Sequence, residues 1–494
     1  MGTVRLVTLL CPPLGLLLLW RARAIGLGRK ILGTIFVPLY SLLYVAAVIA
    51  LLMRFTGLEI EWRGGFPPVL TWHKTHPNYA AVETSRRALP QTPPPAAPLI
   101  AAEDWPGFRG PNRDGRYDEQ PIATNWPADG LRPLWKQPIG GGYASFAIAG
   151  GRAFTIEQRR QQEAVTAYDA ATGRELWACS YPAFFNEALG GEGPRATPAY
   201  SEGKVYSLGA LGDLLCLDAA TGQAVWKLNI LADNVADLLT YGMASSPLVV
   251  GDKLIVQAGG RRGQSVAAYD KLTGKPLWKV LDDPAAYSSP MLVQLAGQEQ
   301  LLIVTAGRAV GLQPADGALL WSTPWKVNQG NRNNAQPVIL GPNRFLLSAG
   351  YGTGCRAVEI SKNDGGFAAR SLWQNTSLKN KFTSSVFWQG CVFGLDEDIL
   401  VCLDAQTGER KWKDGRYGYG QVLLAGGNLI ILSGSGELAL VRANPDRYEE
   451  LARFQAIEGK TWNHPALAGG RIFIRNAVQM ACFDLRPAGR TPIR

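Results

Sequence analysis

The stretch Ala167-Tyr-Asp-Ala-Ala-Thr-Gly-Arg-Glu-Leu-Trp177 decides the fold because it returns along the chain. Close copies end at Trp226, Trp278 and Trp412. Self-similarity at a spacing of about 40–50 residues is typical of propellers and solenoids, in which each repeat packs against its neighbours. The repeat therefore predicts an array of similar units and not several unrelated domains.

Each copy of the repeat predicts a β-hairpin. The Asp side chain accepts hydrogen bonds from backbone amides ahead of it, and the Gly takes the positive φ that the turn requires. A Trp at one place in every copy predicts a wedge between neighbouring sheets, burying about 150–250 Å² each time. We therefore assign structural roles to Asp169, Gly173, Trp177, Asp218, Gly222, Trp226, Asp270, Gly274, Trp278, Trp321, Trp373, Asp404, Gly408, Trp412 and Trp135.

The number of copies predicts eight blades. Degenerate copies place Trp321, Trp373 and Phe454 where the others have their Trp, and the last copy stops after its first strand at 481–485. The missing return strand is available near the other end of the propeller, at 131–135, and a ring closed in this way has no free sheet edge. We predict an all-β fold, with an eight-bladed propeller of four-stranded antiparallel blades over residues 105–494.

A second, shorter repeat precedes the first strand of each blade. Its eight copies begin at Tyr143, Arg195, Ala244, Tyr287, Asn334, Thr383, Gly418 and Trp462. Because the first strand of a blade lies innermost, we expect these segments to line the central channel. A ligand or partner would then meet the channel rim at Arg109, Glu192, Arg195, Tyr241, Asn334, Gln336, Gln421 and His464.

The N-terminal region predicts a membrane anchor. Residues 31–53 carry no charge and are long enough to span a bilayer, and 6–20 is a shorter apolar stretch. Four basic residues between the two stretches mark the cytoplasmic side. We predict one or two transmembrane helices in 1–54 and a Pro-rich extracytoplasmic tether in 55–104. The protein would lie in the bacterial inner (cytoplasmic) membrane, with the propeller on the periplasmic side.

Charge and composition argue against several other classes of protein. Residues 1–100 contain ten Lys and Arg against three Asp and Glu, whereas the remainder is nearly neutral, so no nucleic-acid partner is expected. None of the seven Cys are adjacent or in a CxxC pair, and Cys11 stands in a poor context for lipidation. His73 and His76 lack supporting ligands, so no metal site is predicted.

The Ala-x-Asp-x-x-Thr-Gly-x-x-x-Trp pattern resembles the repeat of PQQ-like (pyrroloquinoline quinone) propellers. That family includes quinoprotein alcohol and glucose dehydrogenases and the non-catalytic BamB subunit of the outer-membrane β-barrel assembly machinery. The stretches 105–115, 192–198 and 463–471 also resemble bacterial PQQ-like propeller proteins. The resemblance covers 105–494 and implies the fold directly, whereas it leaves the activity open, because the repeat builds the scaffold and not a cofactor site.

The resemblance implies two functions. A quinoprotein dehydrogenase would use PQQ and Ca²⁺, with cations such as Arg109, Arg195 and Arg332 for the PQQ carboxylates. The chain lacks the adjacent Cys pair on which many members stack PQQ, and it has no CxxCH haem motif. We therefore expect a non-catalytic binding or scaffold module of the cell envelope, which takes an envelope protein or a small-molecule ligand at the channel mouth. A PQQ-dependent alcohol-type dehydrogenase is the alternative.

Overall fold

The computed structural model of the chain describes residues 12–22, 25–65, 67–72, 76–88, 104–328, 330 and 332–487. The chain divides into two units, Met1–Lys74 and Thr75–Arg494. Cys11, His73 and the Pro-rich run at 91–98 lie outside the described residues.

The first unit contains two helices and a hairpin: α1 (Pro12–Arg21), α2 (Leu27–Thr56) and strands Glu59–Glu61 and Val69–Thr71. The indole Nε1 of Trp20, in α1, donates to Thr34 Oγ1 of α2 at 2.9 Å. Among the described residues, α2 is the one helix that is both long and apolar enough to cross a membrane. This agrees with a membrane anchor. The segment expected to be a tether contains the hairpin and a further helix, α3 (Tyr79–Arg87).

The second unit is an eight-bladed propeller, which confirms the predicted fold. Each blade is an antiparallel sheet whose strands follow one another outward from the channel. From innermost to outermost, blade 1 is Ala147–Ala149, Arg152–Arg159, Gln162–Asp169 and Glu175–Pro182, and blade 2 is Ala199–Ser201, Lys204–Leu208, Asp213–Asp218 and Ala224–Asn229. Blade 3 is Leu248–Val250, Lys253–Gln257, Val266–Asp270 and Pro276–Val280, and blade 4 is Met291–Leu295, Gln298–Val304, Arg308–Leu312 and Leu319–Pro324.

Blades 5 to 8 repeat this order. Blade 5 is Val338–Gly341, Arg344–Ala349, Gly354–Asn363 and Gly366–Asn375, and blade 6 is Val386–Trp388, Cys391–Asp396, Ile399–Asp404 and Arg410–Arg416. Blade 7 is Gln421–Ala425, Asn428–Leu432, Glu437–Arg442 and Glu450–Gln455, and blade 8 is Ala466–Ala468, Arg471–Arg475, Gln479–Asp484 and Pro133–Pro138. Between blades 1 and 2 lies a small hairpin, Asn186–Glu187 with Gly191–Glu192, and between blades 2 and 3 lies α4 (Ile230–Asp233).

Blade 8 closes the ring with a strand from the other end of the propeller sequence. Strand Pro133–Pro138 pairs antiparallel with Gln479–Asp484, placing Trp135 opposite Cys482. The Trp135 indole reaches the next blade and donates to Ala170 O at 3.0 Å. The predicted seam between the first and last parts of the propeller is therefore present.

Most of the repeat Trp residues pack on a turn glycine of the following blade. The Trp177 ring covers Gly222, and its Nε1 donates to Ala219 O at 3.1 Å. The same packing joins Trp135 to Gly173, Trp226 to Gly274, Trp278 to Gly317 and Trp373 to Gly408. These turn glycines have positive φ, so they allow both the turn and the close approach of the ring.

Two Trp residues have no turn glycine under the ring. Trp412 still reaches the following blade, where it donates to Asn444 O at 2.9 Å, whereas Trp321 does not. The Trp321 indole donates to Gln300 Oε1 of its own blade at 2.6 Å and packs near Phe345, with the ring centroids 5.5 Å apart. The following blade has a longer hairpin, 363–366, in place of the Asp-x-x-Thr-Gly turn. The Trp consequently has no turn glycine to cover and is satisfied within its own sheet.

Helix α3 lies against the seam between blades 8 and 1. Arg86 pairs with Glu175 of blade 1 at 2.8 Å, and Glu83 pairs with Arg160 at 2.6 Å. Both arginines are well exposed, so these ion pairs position the helix more than they stabilise it.

The Trp-on-Gly contact predicts a difference between two matched substitutions. Gly222 and Gly203 have φ of +74° and +75°, but only at Gly222 would a Cβ meet the Trp177 ring. Both changes to Ala should cost about 1–2 kcal/mol through backbone strain, and Gly222→Ala should cost a further 1–3 kcal/mol, approximately, because the ring must shift. Denaturant unfolding of the two variants measures the difference, and equal losses would contradict a role for the Trp contact.

Candidate functional site

A belt of polar side chains joins all eight blades around the channel. Thr197 Oγ1 accepts from Ser145 N at 2.9 Å, and Ser246 Oγ accepts from Thr197 N at 2.9 Å. The same linkage continues through the next junctions, and the series as a whole is formed by Ser145, Thr197, Ser246, Ser289, Gln336, Ser384, Gln421 and Asn463. We call this series the belt; its hydrogen bonds satisfy buried backbone groups where blades meet.

Two predicted site residues belong to the belt. The Gln336 amide accepts from Ser289 N at 2.7 Å and donates to Ser289 O at 3.0 Å. The Gln421 amide donates to Phe382 O and Trp462 O at 3.0 and 2.8 Å, and so joins blade 7 to the segments on either side. Both side chains are buried, so they link blades and do not stand at the rim as expected.

Residues 104–117 cross the channel, and we call this segment the plug. Trp105 exchanges backbone hydrogen bonds with Ile148 of blade 1, while 116–117 pair in parallel with the innermost strand of blade 7. Arg109 donates to Val422 O at 3.2 Å and to Ser385 O at 3.0 Å. Arg113 donates to Ser246 O and Pro290 O at 3.0 and 2.9 Å, in blades 3 and 4. The plug is therefore tied to several parts of the ring.

The plug changes the expected position of Arg109. We expected this residue at the rim, but its side chain is 1% exposed and its guanidinium donates to backbone carbonyls. Burial lowers the pKa of Arg109 to about 10 and that of Arg113 to about 9. Two positive charges thus lie within the channel; the charge of Asp114 acts on Arg109, whereas Arg113 donates to backbone carbonyls.

His464 lies beside the plug and not at an accessible rim. Its ring meets the Phe108 ring edge-on, with centroids 4.7 Å apart, and the residue is 9% exposed. Burial, and then the charge of Arg109, hold the His464 pKa well below its usual range. Nδ1 has no hydrogen-bond partner among the described protein groups. The imidazole is thus neutral near pH 7.

Aromatic rings surround the mouth of the channel above the belt. The Trp462 ring lies 5.5 Å from that of Tyr143 and 4.8 Å from that of Phe382, which in turn lies 5.6 Å from Tyr419. These residues precede blades 8, 1, 6 and 7, so the rings converge over the channel. Together with the cations below, we define the rim as Tyr143, Arg195, Tyr241, Tyr287, Arg332, Tyr351, Lys381, Phe382, Tyr419, Lys460 and Trp462.

Four cations stack on the rim aromatics. Arg195 lies 5.6 Å from the centroid of the Tyr143 ring, and Lys460 lies 4.5 Å from that of Trp462. Lys381 lies 4.8 Å from Tyr419, and Arg332 5.1 Å from Tyr351 and 5.3 Å from Tyr241. Such cation–π contacts contribute about 0.5–2 kcal/mol each, more when desolvated. They hold the cations close to the mouth of the channel.

Carboxylates at the mouth are fewer than cations. Glu187 pairs with Arg195 at 3.2 Å, and Glu397 approaches Lys381 at 3.7 Å. Glu192 is in the small hairpin before blade 2. Burial raises the pKa of Tyr79 in α3, and the negative charge of Glu192 raises it further. With Arg109 and Arg113 beneath, positive charge prevails, and a concave site of this kind focuses the field on an approaching anion.

A cavity of about 720 Å³ opens beside the rim. The rings of Tyr241 and Tyr287, 5.8 Å apart, form part of its wall. Its lining also includes Leu238, Arg261, Pro284 and Arg332. The cavity thus combines apolar walls with cationic groups, as ligand pockets commonly do.

The structure brings some of the predicted site residues together and separates others. Arg195 and Tyr241 are rim residues, and Asn334 donates to Lys381 O at 2.6 Å, which supports the rim. Gln336 and Gln421 are in the belt, Arg109 is in the plug, and His464 lies against the plug.

The sequence analysis missed several rim residues. Phe382 and Tyr419 were not predicted because the segments before blades 6 and 7 had been aligned with the other copies in a register shifted by one residue. Aligning the copies on the belt residues Ser384 and Gln421 places these two aromatics where other copies have Tyr143, Tyr287 and Trp462. Lys381, Lys460 and Tyr351 lie outside the eight short segments, so no repeat signal marked them.

The described residues do not fit the calcium site expected of a quinoprotein. No group of three or more His, Cys, Asp or Glu that could hold a metal occurs in the described ranges. None of the belt residues is a carboxylate, and Arg109 and Arg113 already donate to carbonyls. The rim cations match the charge of the PQQ carboxylates, but the described residues place no cluster of three acidic side chains beside them, and carboxylates are the charged ligands that Ca²⁺ prefers.

Comparisons with known proteins give a family and a fold. The family model described as "Outer membrane protein assembly factor BamB" matches residues 161–414, just over half of the chain. Among curated proteins, the dehydrogenase subunit of alcohol dehydrogenase (quinone) from Gluconacetobacter polyoxogenes is 32% identical over 133 residues, covering 25% of this chain and 18% of that protein. The chain spans about a fifth of the length of the curated relatives it matches.

Solved structures agree on the fold. BamB from Moraxella catarrhalis matches with a TM-score of 0.51 at 15% identity, over 72% of this chain and 99% of that one. Quinohemoprotein alcohol dehydrogenase from Comamonas testosteroni matches with a TM-score of 0.56 at 15% identity, over 84% and 85%. At these identities the likeness shows the propeller architecture alone.

The buried imidazole predicts a pH dependence of stability. Because the folded-state pKa of His464 is depressed, the unfolded chain takes up a proton near pH 6.5 that the folded chain does not. Stability should therefore fall as the pH drops below about 6.5, by up to about 1.4 kcal/mol per pH unit from this group. His464→Gln should show a shallower loss than the wild type in denaturant unfolding between about pH 7.5 and 5.5; parallel curves would contradict this.

Proposed function

The chain belongs to the family described as outer membrane protein assembly factor BamB, and from this we propose that it is a membrane-anchored binding module of the cell envelope. Its channel mouth would capture an anionic partner without catalysing a reaction. The observation that carries the proposal is the set of four cations, Arg195, Arg332, Lys381 and Lys460, stacked on aromatic rings around one mouth.

The chemistry of the rim favours acidic groups as its ligands. A carboxylate that approaches the stacked cations gains charge-assisted hydrogen bonds, and the aromatic faces accept the apolar parts of the same partner. Aromatic and Arg side chains are also enriched at the centres of protein interfaces. We therefore take an acidic segment of an envelope protein as the preferred partner.

The proposed location follows from the anchor. The uncharged stretch 31–53 within α2 is preceded by Arg21, Arg23, Arg29 and Lys30, and an excess of basic residues marks the cytoplasmic side of a span. A chain that leaves the bilayer after α2 would then place the propeller on the periplasmic side of the inner membrane.

A quinoprotein dehydrogenase is the second candidate because the curated relatives are named as quinone-type alcohol dehydrogenases. Those matches cover only parts of longer proteins, and the described residues do not assemble a calcium ligand set. Stoichiometric uptake of PQQ with Ca²⁺ by the full-length protein, together with alcohol-dependent dye reduction, would favour this candidate over the binding module.

The binding proposal predicts charge-dependent capture of an acidic probe. Full-length protein in nanodiscs of zwitterionic lipid should bind a fluorescein-labelled polyglutamate peptide, and Lys460→Gln should weaken the affinity about tenfold, or about 1.4 kcal/mol. The matched control is Lys275→Gln, which removes an exposed Lys from a repeat turn, away from the rim. Fluorescence anisotropy measures the affinities, and equal effects of the two substitutions, or no binding by the wild type, would contradict the proposal.

A further inference from the structure

We propose that the cavity beside the rim and the loop 234–241 form a docking site for an extended acidic peptide segment of a partner protein. The segment would place an apolar side chain against Val235 and Leu238 and a carboxylate beside Arg261 and Arg332. This inference deepens the proposed function and rests on it, because it names the part of the mouth that distinguishes a polypeptide from a simple anion.

The first observation is a strained and exposed valine. Val235 follows α4 at φ +48°, and Ala236 N donates to Leu231 O at 2.9 Å across it. This is the left-handed position that ends a helix, where Gly is favoured and a β-branched residue is a clear outlier. The Val235 side chain is nevertheless 77% exposed. Burial of this side chain therefore does not offset the strain of the left-handed backbone, which costs about 1–2 kcal/mol.

The second observation is that another exposed apolar side chain of the same loop lines the cavity. Leu238, three residues further on, is 44% exposed and lines the cavity together with Tyr241 and Tyr287. An apolar side chain that enters the cavity would contact Leu238 and the two aromatic rings. The volume of about 720 Å³ falls within the range of about 300–1,000 Å³ that ligand pockets occupy.

The third observation is the charge of the cavity. Arg261 and Arg332 line it, and Asp237 is the one acidic side chain in its lining. The Arg332 guanidinium lies 5.3 Å from the Tyr241 ring centroid and 5.1 Å from that of Tyr351. The pKa of Tyr287 is raised by burial, whereas the charges of both Arg332 and Arg195 act to lower it, which places this wall within the positive field of the mouth.

These features favour a peptide over the alternatives. A small anion would use the arginines but not the exposed Val235 and Leu238. A lipid surface would use exposed apolar side chains, but it would not fill a concave cavity behind them. An extended chain presents alternate side chains to one face, so acidic and apolar residues reach neighbouring sites together.

The test compares two peptides of about eight residues, each about 26 Å long when extended. One contains Glu throughout, and the other alternates Glu and Leu; both are capped and labelled. With full-length protein in zwitterionic nanodiscs, and empty nanodiscs as reference, the alternating peptide should bind about tenfold more tightly. Val235→Gly should reduce this advantage to about threefold or less, while the thermal midpoint is unchanged or higher, because the strain at φ +48° is relieved.

The matched control is Leu272→Ala, which removes an exposed apolar side chain from a repeat turn and should leave the preference unchanged. An unchanged preference in Val235→Gly, or no advantage of the alternating peptide in the wild type, overturns this inference alone. Failure of both peptides to bind the wild type overturns the proposed function with it. Binding of anionic vesicles that is lost in Val235→Gly, without a peptide preference, would assign the surface to a membrane instead and overturn the peptide site.

Discussion

Closure of the ring is the constraint on which the rest of the structure depends. Each blade buries its faces only against its neighbours, so the last blade must meet the first, and strand Pro133–Pro138 makes this possible. Two sets of contacts then fix the ring, the Trp residues packed on turn glycines and the belt hydrogen bonds at every junction. Either set alone would leave part of each interface unsatisfied, since the first covers apolar surface and the second pairs buried backbone groups.

A closed ring of eight blades leaves a channel, and the chain fills it with its own residues. Arg109 and Arg113 donate to carbonyl groups of the segments that lead into the innermost strands. The channel interior is therefore committed to stability and carries the positive charges of two guanidinium groups, one of which, that of Arg109, interacts with the charge of Asp114. Any partner must be met at the mouth, where aromatic side chains and further cations come together, and the same charge that the plug buries helps to attract it.

The eight blades and their seam could be predicted from sequence because the repeat encodes a local turn and a fixed Trp, as in Asp169, Gly173 and Trp177. The mouth could not be predicted to the same extent. Its residues come from loops that differ between blades. Neither Lys460 nor Tyr351 has an equivalent residue in the other blades from which its position could be predicted. The position of Arg109 was predicted wrongly because nothing in its local sequence indicates that the segment crosses the channel. Phe382 and Tyr419 became recognisable only when hydrogen bonds set the alignment of their segments.

The central claim is that the rim is the binding face of the propeller. Hydrogen–deuterium exchange of the full-length protein, with and without a saturating acidic peptide, maps that face directly. The account predicts slower exchange in the loops at 183–195, 376–382, 417–420 and 456–463, and no change in the Asp-x-x-Thr-Gly turns, which lie at the other ends of the blades. Protection of those turns, with the loops of the rim unaffected, would contradict it.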